Sequence, residues 1–157
     1  MRIQKVRTKC LPQSDVMLIF AGYYLLKFNF ITSPIERMNY NLNQIPDRTT
    51  KPRQKGLTMV MDKGLSLRQV EDFLEMGAGY TDIVKLGWAT SYVTPNLKEK
   101  LALYKSAGIP VYFGGTLFEA FYIRGQFDEY RRVLDQYGME YAEISDGSVE
   151  MESEVRC

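Results

Sequence analysis

The chain has 157 residues, of which 45% are hydrophobic and 25% are charged, a composition typical of a globular protein with one domain's worth of core. Its formal net charge of +1 gives no electrostatic support for nucleic-acid binding, which usually shows as a strongly basic balance or a basic stripe. It has no histidine, which excludes Ser-His and Cys-His nucleophile pairs and histidine-ligated metals within the chain, so acid–base chemistry must come from Lys, Asp, Glu or Tyr.

An apolar run, VMLIFAGYYLLKFNFI at 16–31, dominates the first 37 residues. It is shorter than the roughly 20 residues that a membrane-spanning helix needs, Lys27 interrupts it, and no small-residue cleavage site follows it. The run shares no periodicity with the rest of the chain. We therefore expect residues 1–37 to be an extension foreign to the fold, translated ahead of a natural start at Met38, that makes no essential contact with it. The alternative is a weak membrane or packing segment.

A polar segment, residues 38–56, leads into the regular part of the chain. Its two prolines, Pro46 and Pro52, and the run DRTTKPRQKG predict an extended arm, because the residue before a proline is biased away from helix. Its basic side chains either attract an anion or simply face solvent. They are Arg48, Lys51, Arg53 and Lys55.

From residue 57 onward, short apolar runs alternate with segments of helical spacing. The runs predict four strands: LTMVMDK (57–63), DIVKLGW (82–88), IPVYFGGT (109–116) and MEYAEISDG (139–147). The intervening segments predict helices: LSLRQVEDFLEMG, TPNLKEKLALYKSAG, LFEAFYIRG and FDEYRRVLDQYG, with SVEMESEV opening another. Such alternation is typical of a parallel sheet with crossover helices, hence an α/β fold.

The spacing of the strands narrows the fold further. Equivalent positions Leu57, Ile83, Val111 and Tyr141 are separated by 26, 28 and 30 residues. Even units of this size favour a (β/α)8 TIM barrel, in which about 250 residues supply eight of them. We therefore expect residues 57–157 to form four βα units, the N-terminal half of such a barrel.

Each predicted strand ends in polar or glycine residues. In a barrel, the carboxyl ends of the strands form the active-site face. One polar strand end is typical of a solvated turn, but four in register indicate a shared pocket. The residues at these ends are Asp62 and Lys63, Lys85, Gly114 with Gly115 and Thr116, and Glu143 with Ser145 and Asp146.

The chemical types of these residues favour an anionic substrate. Lys63 and Lys85 can neutralise it, and the N–H groups of GGT, opening a helix, form a natural oxyanion cradle. Carboxylates at Asp62, Glu143 and Asp146 offer the hard oxygen ligands that suit Mg²⁺. The alternative is a Lys–Asp or Lys–Glu ion pair inside the barrel, which would satisfy the same groups without catalysis.

Four motifs carry a resemblance to a known family. KPRQKGLTMVMDKGL, DIVKLGWATSYVTPNLKEK, GIPVYFGGTLFEAF and EISDGS together resemble phosphosulfolactate synthase, the enzyme of coenzyme M biosynthesis. This resemblance implies a (β/α)8 barrel and a lyase of sulfonate metabolism. The reaction it implies is the Mg²⁺-dependent addition of sulfite to phosphoenolpyruvate, giving (2R)-phospho-3-sulfolactate.

The resemblance also implies roles for individual residues. Lys63 and Lys85 would bind the anionic groups of phosphoenolpyruvate or sulfite, and GGT would cradle an oxyanion. The full expected site has catalytic Lys63, Lys85 and Glu143; substrate-binding Asp62, Gly114, Gly115, Thr116, Glu119 and Ser145; and the metal ligands Glu143 and Asp146. Fixed positive groups would stabilise the negative charge that develops on the substrate carboxylate during the reaction. Such electrostatic stabilisation is usually the largest contribution to catalysis of this kind.

Family members continue for about four more units beyond EISDGS, where we expect the proton-donating lysine. Four strands alone would leave sheet edges open, so we expect this chain to aggregate or self-associate as a homo-oligomer and to lack synthase activity by itself. Two alternatives stay open. One is a non-catalytic barrel similar to plant heat-stress-associated proteins, and the other is a barrel enzyme acting on another phosphorylated small molecule.

Partners and location follow from the same features. The expected partners are small molecules, phosphoenolpyruvate and sulfite, and neither nucleic acid nor a membrane is expected. The two cysteines, Cys10 and Cys157, form neither a zinc motif nor a disulfide framework. They are typical of the reduced thiols of a cytoplasmic protein.

Overall fold

A computed structural model of the chain describes residues 2–5, 39–40 and 42–151. The described strands are β1 (Arg2–Lys5), β2 (Met59–Asp62), β3 (Ile83–Leu86), β4 (Val111–Phe113) and β5 (Tyr141–Ile144). The described helices are α1 (Leu67–Gly77), α2 (Leu97–Ser106), α3 (Gly115–Tyr122) and α4 (Phe127–Gln136), with short 3-10 turns at Ala78–Tyr80 and Thr90–Tyr92. No helix in these ranges is long and apolar enough to cross a membrane.

The five strands form one sheet in the order β1-β5-β4-β3-β2. β2, β3, β4 and β5 are parallel, and helices connect them, which confirms the predicted α/β fold. Two consecutive parallel strands need such a crossover connection, because the chain must return to the end of the sheet where the first strand began. The arrangement is consistent with part of a (β/α)8 barrel, and the complete barrel stays a prediction.

The N-terminal extension differs from the expectation in one respect. Residues 2–5, which were expected to make no essential contact, form β1 and pair antiparallel with β5, with Arg2 opposite Ile144. The physical reason is that the outer edge of β5 offers backbone N–H and C=O groups that a strand can satisfy. The apolar run at 16–31 lies outside the described residues, and the foreign origin of residues 1–37 stays a prediction.

The core lies between the sheet and the helices. α1 begins with a capping box in which the Ser66 side chain accepts a hydrogen bond from the Gln69 N–H and the Gln69 side chain accepts one from the Ser66 N–H. Its buried face presents Val70 and Leu74 to the core cluster. Burying one such side chain stabilises the fold by about 1.5–3 kcal/mol, so the helices are held mainly by these apolar faces.

All four predicted strands are shorter in the structure, and two regions also differ in the kind of element they form. Gly115 and Thr116 were predicted to end a strand, but they form the first turn of α3. Gly114 has extended dihedrals (φ −69°, ψ 159°) and acts as the N-cap, so the chain turns into the helix immediately after β4. The helix expected from 148 onward is not seen over residues 148–151, and 152–157 lie outside the described residues.

The lead-in arm packs against the amino end of β3. Arg53 is 7% exposed and forms an ion pair with Asp82 at 2.8 Å, and Lys51 donates to the Ala78 carbonyl at 2.9 Å. Burial alone would raise the pKa of Asp82, but the hydrogen bond from the Thr58 N–H and the Arg53 guanidinium hold the pKa below its usual range. Arg53 and Lys51 therefore bind protein groups at the face opposite the strand ends, rather than an anion or bulk solvent.

Candidate functional site

Lys85 and Glu143 form an ion pair that crosses the carboxyl end of the sheet. The Lys85 Nζ lies 2.9 Å from Oε1 and 2.8 Å from Oε2 of Glu143, and only the Oε1 contact has hydrogen-bond geometry. The side chains are 13% and 3% exposed. This contact brings together two of the predicted catalytic residues from β3 and β5, although it also corresponds to the ion-pair alternative raised by the sequence.

The sheet register explains how the two side chains meet. Lys85 pairs with Tyr112, and Phe113 pairs with Ala142. Because side chains alternate along a strand, Lys85, Tyr112 and Glu143 share one face. Phe113 and Ala142 lie on the other face, where they join the core cluster against the helices. The pair therefore lies on the face that would line the interior of a barrel.

Gly114 provides the space for this crossing. A Cβ at this position would lie 2.8 Å from Lys85 Cε and 3.0 Å from the Leu86 carbonyl oxygen. At Gly115, an added Cβ would meet Ser145 Cβ at 2.2 Å and Glu143 Cγ at 3.3 Å. Both glycines thus allow the strand ends to approach each other closely. The predicted oxyanion cradle at Gly114, Gly115 and Thr116 stays a prediction, with the N-terminus of α3 as its structural basis.

Glu119 and Ser145 join α3 to the loop after β5. Glu119 is 4% exposed, and its Oε1 accepts hydrogen bonds from the Ser145 hydroxyl and from the Gly147 N–H, the latter at 2.9 Å. Asp146 is exposed and lies in the loop that these bonds hold. The structure therefore brings these predicted residues together as a brace for the loop.

Asp62 lies in a different environment from Lys85 and Glu143. Its carboxylate accepts hydrogen bonds from the N–H groups of Gly64 and Leu65, both at 2.8 Å. It also contacts Lys100 Nζ at 3.2 Å and the Tyr104 hydroxyl at 3.0 Å, both on α2. Since Asp62 pairs with Leu86, which belongs to the core cluster, its side chain points toward the helices.

Sequence reasoning missed both α2 partners of Asp62. Lys100 is 2% exposed, and burial together with the Asp62 charge and hydrogen bond raises the pKa of Tyr104. One signal was available: Lys100 lies between Leu97 and Tyr104 at helical spacing, so a lysine occupies the apolar face of α2. A charged residue there needs a buried counter-charge.

Lys63 contacts the single tryptophan of the chain. Its Nζ lies 5.8 Å from the centroid of the Trp88 ring, within the range of a cation–π interaction. Trp88 is 65% exposed and has a positive φ of 56°, which is uncommon for a bulky residue. Lys63 is exposed at the end of β2, and Trp88 follows the end of β3. The sequence did not single out Trp88.

The donors present can be compared with the requirements of Mg²⁺. Within the described ranges, no group of three or more His, Cys, Asp or Glu side chains could hold a metal. However, Mg²⁺ is often bound through only one or two carboxylates plus water and substrate oxygens. Glu143 Oε2 is buried and makes no hydrogen bond with the described residues. Lys85 Nζ lies 2.8 Å from it, so this oxygen becomes available to a metal when the ammonium turns away. The donor set therefore fits Mg²⁺ in this mode, with Glu143 and Asp146 as its predicted ligands.

A parallel sheet with a lysine–carboxylate pair at its carboxyl end defines an α/β protein with a polar strand-end site. Residues 46–157 match the family model of (2R)-phospho-3-sulfolactate synthase, ComA. The chain is 50% identical over 105 residues to phosphosulfolactate synthase of Methanocaldococcus jannaschii. It is 40% identical over 114 residues to that of Methanothermobacter thermautotrophicus and 39% identical over 108 residues to that of Bacillus subtilis. The chain belongs to the ComA phosphosulfolactate synthase family, as its four motifs predicted.

The matches cover most of this chain but less than half of each relative. They span 66% of the chain and 42% of the Methanocaldococcus protein, 71% and 44% for Methanothermobacter, and 69% and 43% for Bacillus. Family membership is therefore established for the matched region. The activity of a whole synthase is a proposal for this chain.

Proposed function

We propose that this chain supplies part of the active site of a phosphosulfolactate synthase, an enzyme that adds sulfite to phosphoenolpyruvate to give (2R)-phospho-3-sulfolactate. The observation that carries the proposal is the Lys85–Glu143 pair at the carboxyl ends of β3 and β5, in a chain of this family. The heat-stress-associated alternative is not favoured, because the three similar relatives are all named phosphosulfolactate synthases.

The proposed reaction is a conjugate addition. A sulfur lone pair of sulfite attacks C3 of phosphoenolpyruvate, and the new C–S bond pushes the C2–C3 π electrons onto the carboxylate. The resulting enediolate-like intermediate then takes a proton at C2. The barrier therefore depends on stabilising the extra negative charge on the carboxylate oxygens, which is the task of preorganised positive groups in the site.

Lys85 is the described residue best placed for this task. Its ammonium lies at the carboxyl end of the sheet, and its side chain keeps 13% of its surface exposed. An arriving anion would compete with Glu143 for the ammonium. The carboxylate of Glu143 in turn fixes the position of the ammonium before the substrate binds.

Lys63 is a second positive group of the proposed site. It is exposed, and among the described residues it contacts the Trp88 ring and forms no ion pair. Since a cation–π contact at an exposed site contributes only about 0.5–1 kcal/mol, Lys63 can exchange it for a phosphate or sulfite oxygen at little cost.

Mg²⁺ would be held by Glu143 and Asp146. When bound, it would neutralise the charge that develops on the substrate carboxylate. Asp62 and Glu119 have structural partners in this chain, so their contribution to the site would be to fix the turn after β2 and the loop after β5. These two loops carry Lys63 and Asp146.

The test is sulfite-dependent loss of phosphoenolpyruvate in the presence of Mg²⁺. Because the chain spans less than half of its relatives, the assay compares it with a chimaera that adds the unmatched part of the Methanocaldococcus relative. The proposal predicts activity in the chimaera and none in the chain alone. A chimaera that is folded and monodisperse but inactive, beside an active relative, would contradict it.

A further inference from the structure

Tyr112 is a buried tyrosine on the same face of the sheet as Lys85 and Glu143. It lies in the middle of β4 and pairs with Lys85 across the sheet. Its side chain is fully buried, and its hydroxyl has no hydrogen-bond partner among the described residues. Its strand lies between β3 and β5, the two strands that the Lys85–Glu143 ion pair joins.

A second buried polar atom without a hydrogen-bond partner among the described residues lies on the same face of the neighbouring strand β5. Glu143 Oε2 is buried and accepts no hydrogen bond, although the Lys85 ammonium lies near it. Burial, and after it the Glu143 charge, raises the pKa of Tyr112 to about 12. The phenol keeps its proton, so one of the two atoms is a donor and the other is an acceptor.

Native proteins rarely leave buried polar atoms unpaired, and such atoms indicate stored strain, a catalytic role or an enclosed water. Here the two atoms are complementary, one a donor and the other an acceptor, and they lie on the same face of neighbouring strands. In the chain without Mg²⁺, an anion that draws the Lys85 ammonium away leaves Glu143 as a buried carboxylate without a counter-charge, which is costly unless another donor replaces the ammonium. Tyr112 is a buried donor on that face whose hydroxyl has no partner among the described residues.

We propose that Tyr112 is a positioning residue that donates a hydrogen bond to Glu143, directly or through an enclosed water, when Lys85 turns toward an anionic ligand. This inference rests on the proposed anion binding at Lys85. In the unliganded state the hydroxyl is a reserve donor, which explains why it has no partner there. Tyr112 acts through Glu143 and does not itself contact the ligand.

The test is the Tyr112→Phe substitution in the 157-residue chain, because it removes only the hydroxyl. Deleting a buried hydroxyl that has no partner leaves no other group unpaired, so the melting temperature is expected to stay the same or rise. Binding of phosphoenolpyruvate is expected to weaken by about tenfold or more, the effect of losing a hydrogen bond to a charged group. Binding is followed by the fluorescence of Trp88, the only tryptophan.

Two other tyrosines provide matched controls. Tyr104 donates to Asp62 at 3.0 Å, so Tyr104→Phe is expected to lower the melting temperature. Tyr130 is a second buried phenol with an unpaired hydroxyl that the Glu143 charge also reaches, but it lies on α4 in the aromatic core with Phe118 and Phe121. Tyr130→Phe is expected to change neither stability nor binding by much.

The possible outcomes are distinct. Weaker binding by Tyr112→Phe at unchanged stability, with Tyr130→Phe like the unmodified protein, supports the inference. A melting temperature that falls as it does in Tyr104→Phe would show a structural hydroxyl and overturn it, as would unchanged affinity. If the unmodified chain itself fails to bind phosphoenolpyruvate, the proposed function fails for this chain and the inference fails with it.

Discussion

Replacing Asp62 with asparagine tests whether this residue is structural or belongs to the substrate site. The substitution removes the charge that compensates Lys100, whose side chain is 2% exposed. Removing one partner of a buried ion pair typically costs about 3–5 kcal/mol. For a chain of this size each kcal/mol lowers the melting temperature by about 2–4 °C, so we expect a decrease of roughly 6–20 °C.

The reciprocal variant distinguishes the ion pair from a general loss of packing. Lys100→Met removes the ammonium but leaves the Asp62 carboxylate with the Tyr104 hydroxyl and the N–H groups of Gly64 and Leu65. The double variant removes both charges, and we expect it to lose clearly less stability than the two single variants together.

Urea unfolding followed by circular dichroism gives the free energy of unfolding of the unmodified protein, the two single variants and the double variant. Thermal unfolding gives their melting temperatures. Asp72→Asn, at an exposed position of α1, serves as the control for a carboxylate substitution. If Asp62→Asn stays within about 1 kcal/mol of the unmodified protein and the single effects add, the ion pair does not hold the turn after β2. Asp62 would then be available to a ligand, as the sequence alone suggested.

Three further predictions address the packing, the charges and the sheet edge. Gly114→Ala is expected to lower the free energy of unfolding, measured by thermal unfolding, by about 1–3 kcal/mol because its Cβ would overlap Lys85. Gly79→Ala, whose Cβ meets nothing within 4 Å, is the control. Equal effects of the two substitutions would contradict the steric explanation. The folded-state pKa of Asp82 lies below its reference value of 3.8, so the stability that its charge contributes is present above that pH and is lost as the pH falls through the folded-state pKa. Asp82→Asn should flatten this part of the plot of unfolding free energy against pH. An unchanged plot would contradict this expectation. Deleting residues 1–37 removes β1 from the edge of β5, so light scattering should show increased self-association, whereas a monodisperse product would mean that β1 does not protect the edge.

The sequence predicted the order of β2 to β5 and of the four helices, but not β1, because each of these predicted elements depends on local patterns. Apolar runs, helical spacing and glycine stops are properties of neighbouring residues. Lys85 and Glu143 could likewise be selected, since both fall at strand ends that a parallel sheet brings to one edge. Their direct contact spans 58 residues and became visible only with the register of the sheet.

The environments of Asp62 and Gly114 could not be predicted in the same way. A strand-end position does not reveal which face the side chain takes, and Asp62 lies on the helix side because its register partner is Leu86. Gly114 resembled an anion cradle in sequence, but its close contacts are with Lys85 and Leu86, which belong to another strand. Such roles depend on long-range packing, which a local pattern does not contain.

The central claim is that Lys85 and Glu143 form an anion site for phosphoenolpyruvate. Because removing Lys85 alone would leave Glu143 buried without a counter-charge, the variant combines Lys85→Met with Glu143→Gln, and circular dichroism confirms its fold. Lys105→Met, at an exposed lysine beside the amino end of β4, is the control. Phosphoenolpyruvate is titrated into each protein, and binding is followed by Trp88 fluorescence. We expect saturable binding by the unmodified chain and by the Lys105→Met control. The affinity of the double variant should be lower by about tenfold to a hundredfold. Equal affinity in the folded variant, or no saturable binding by the unmodified chain, would contradict it.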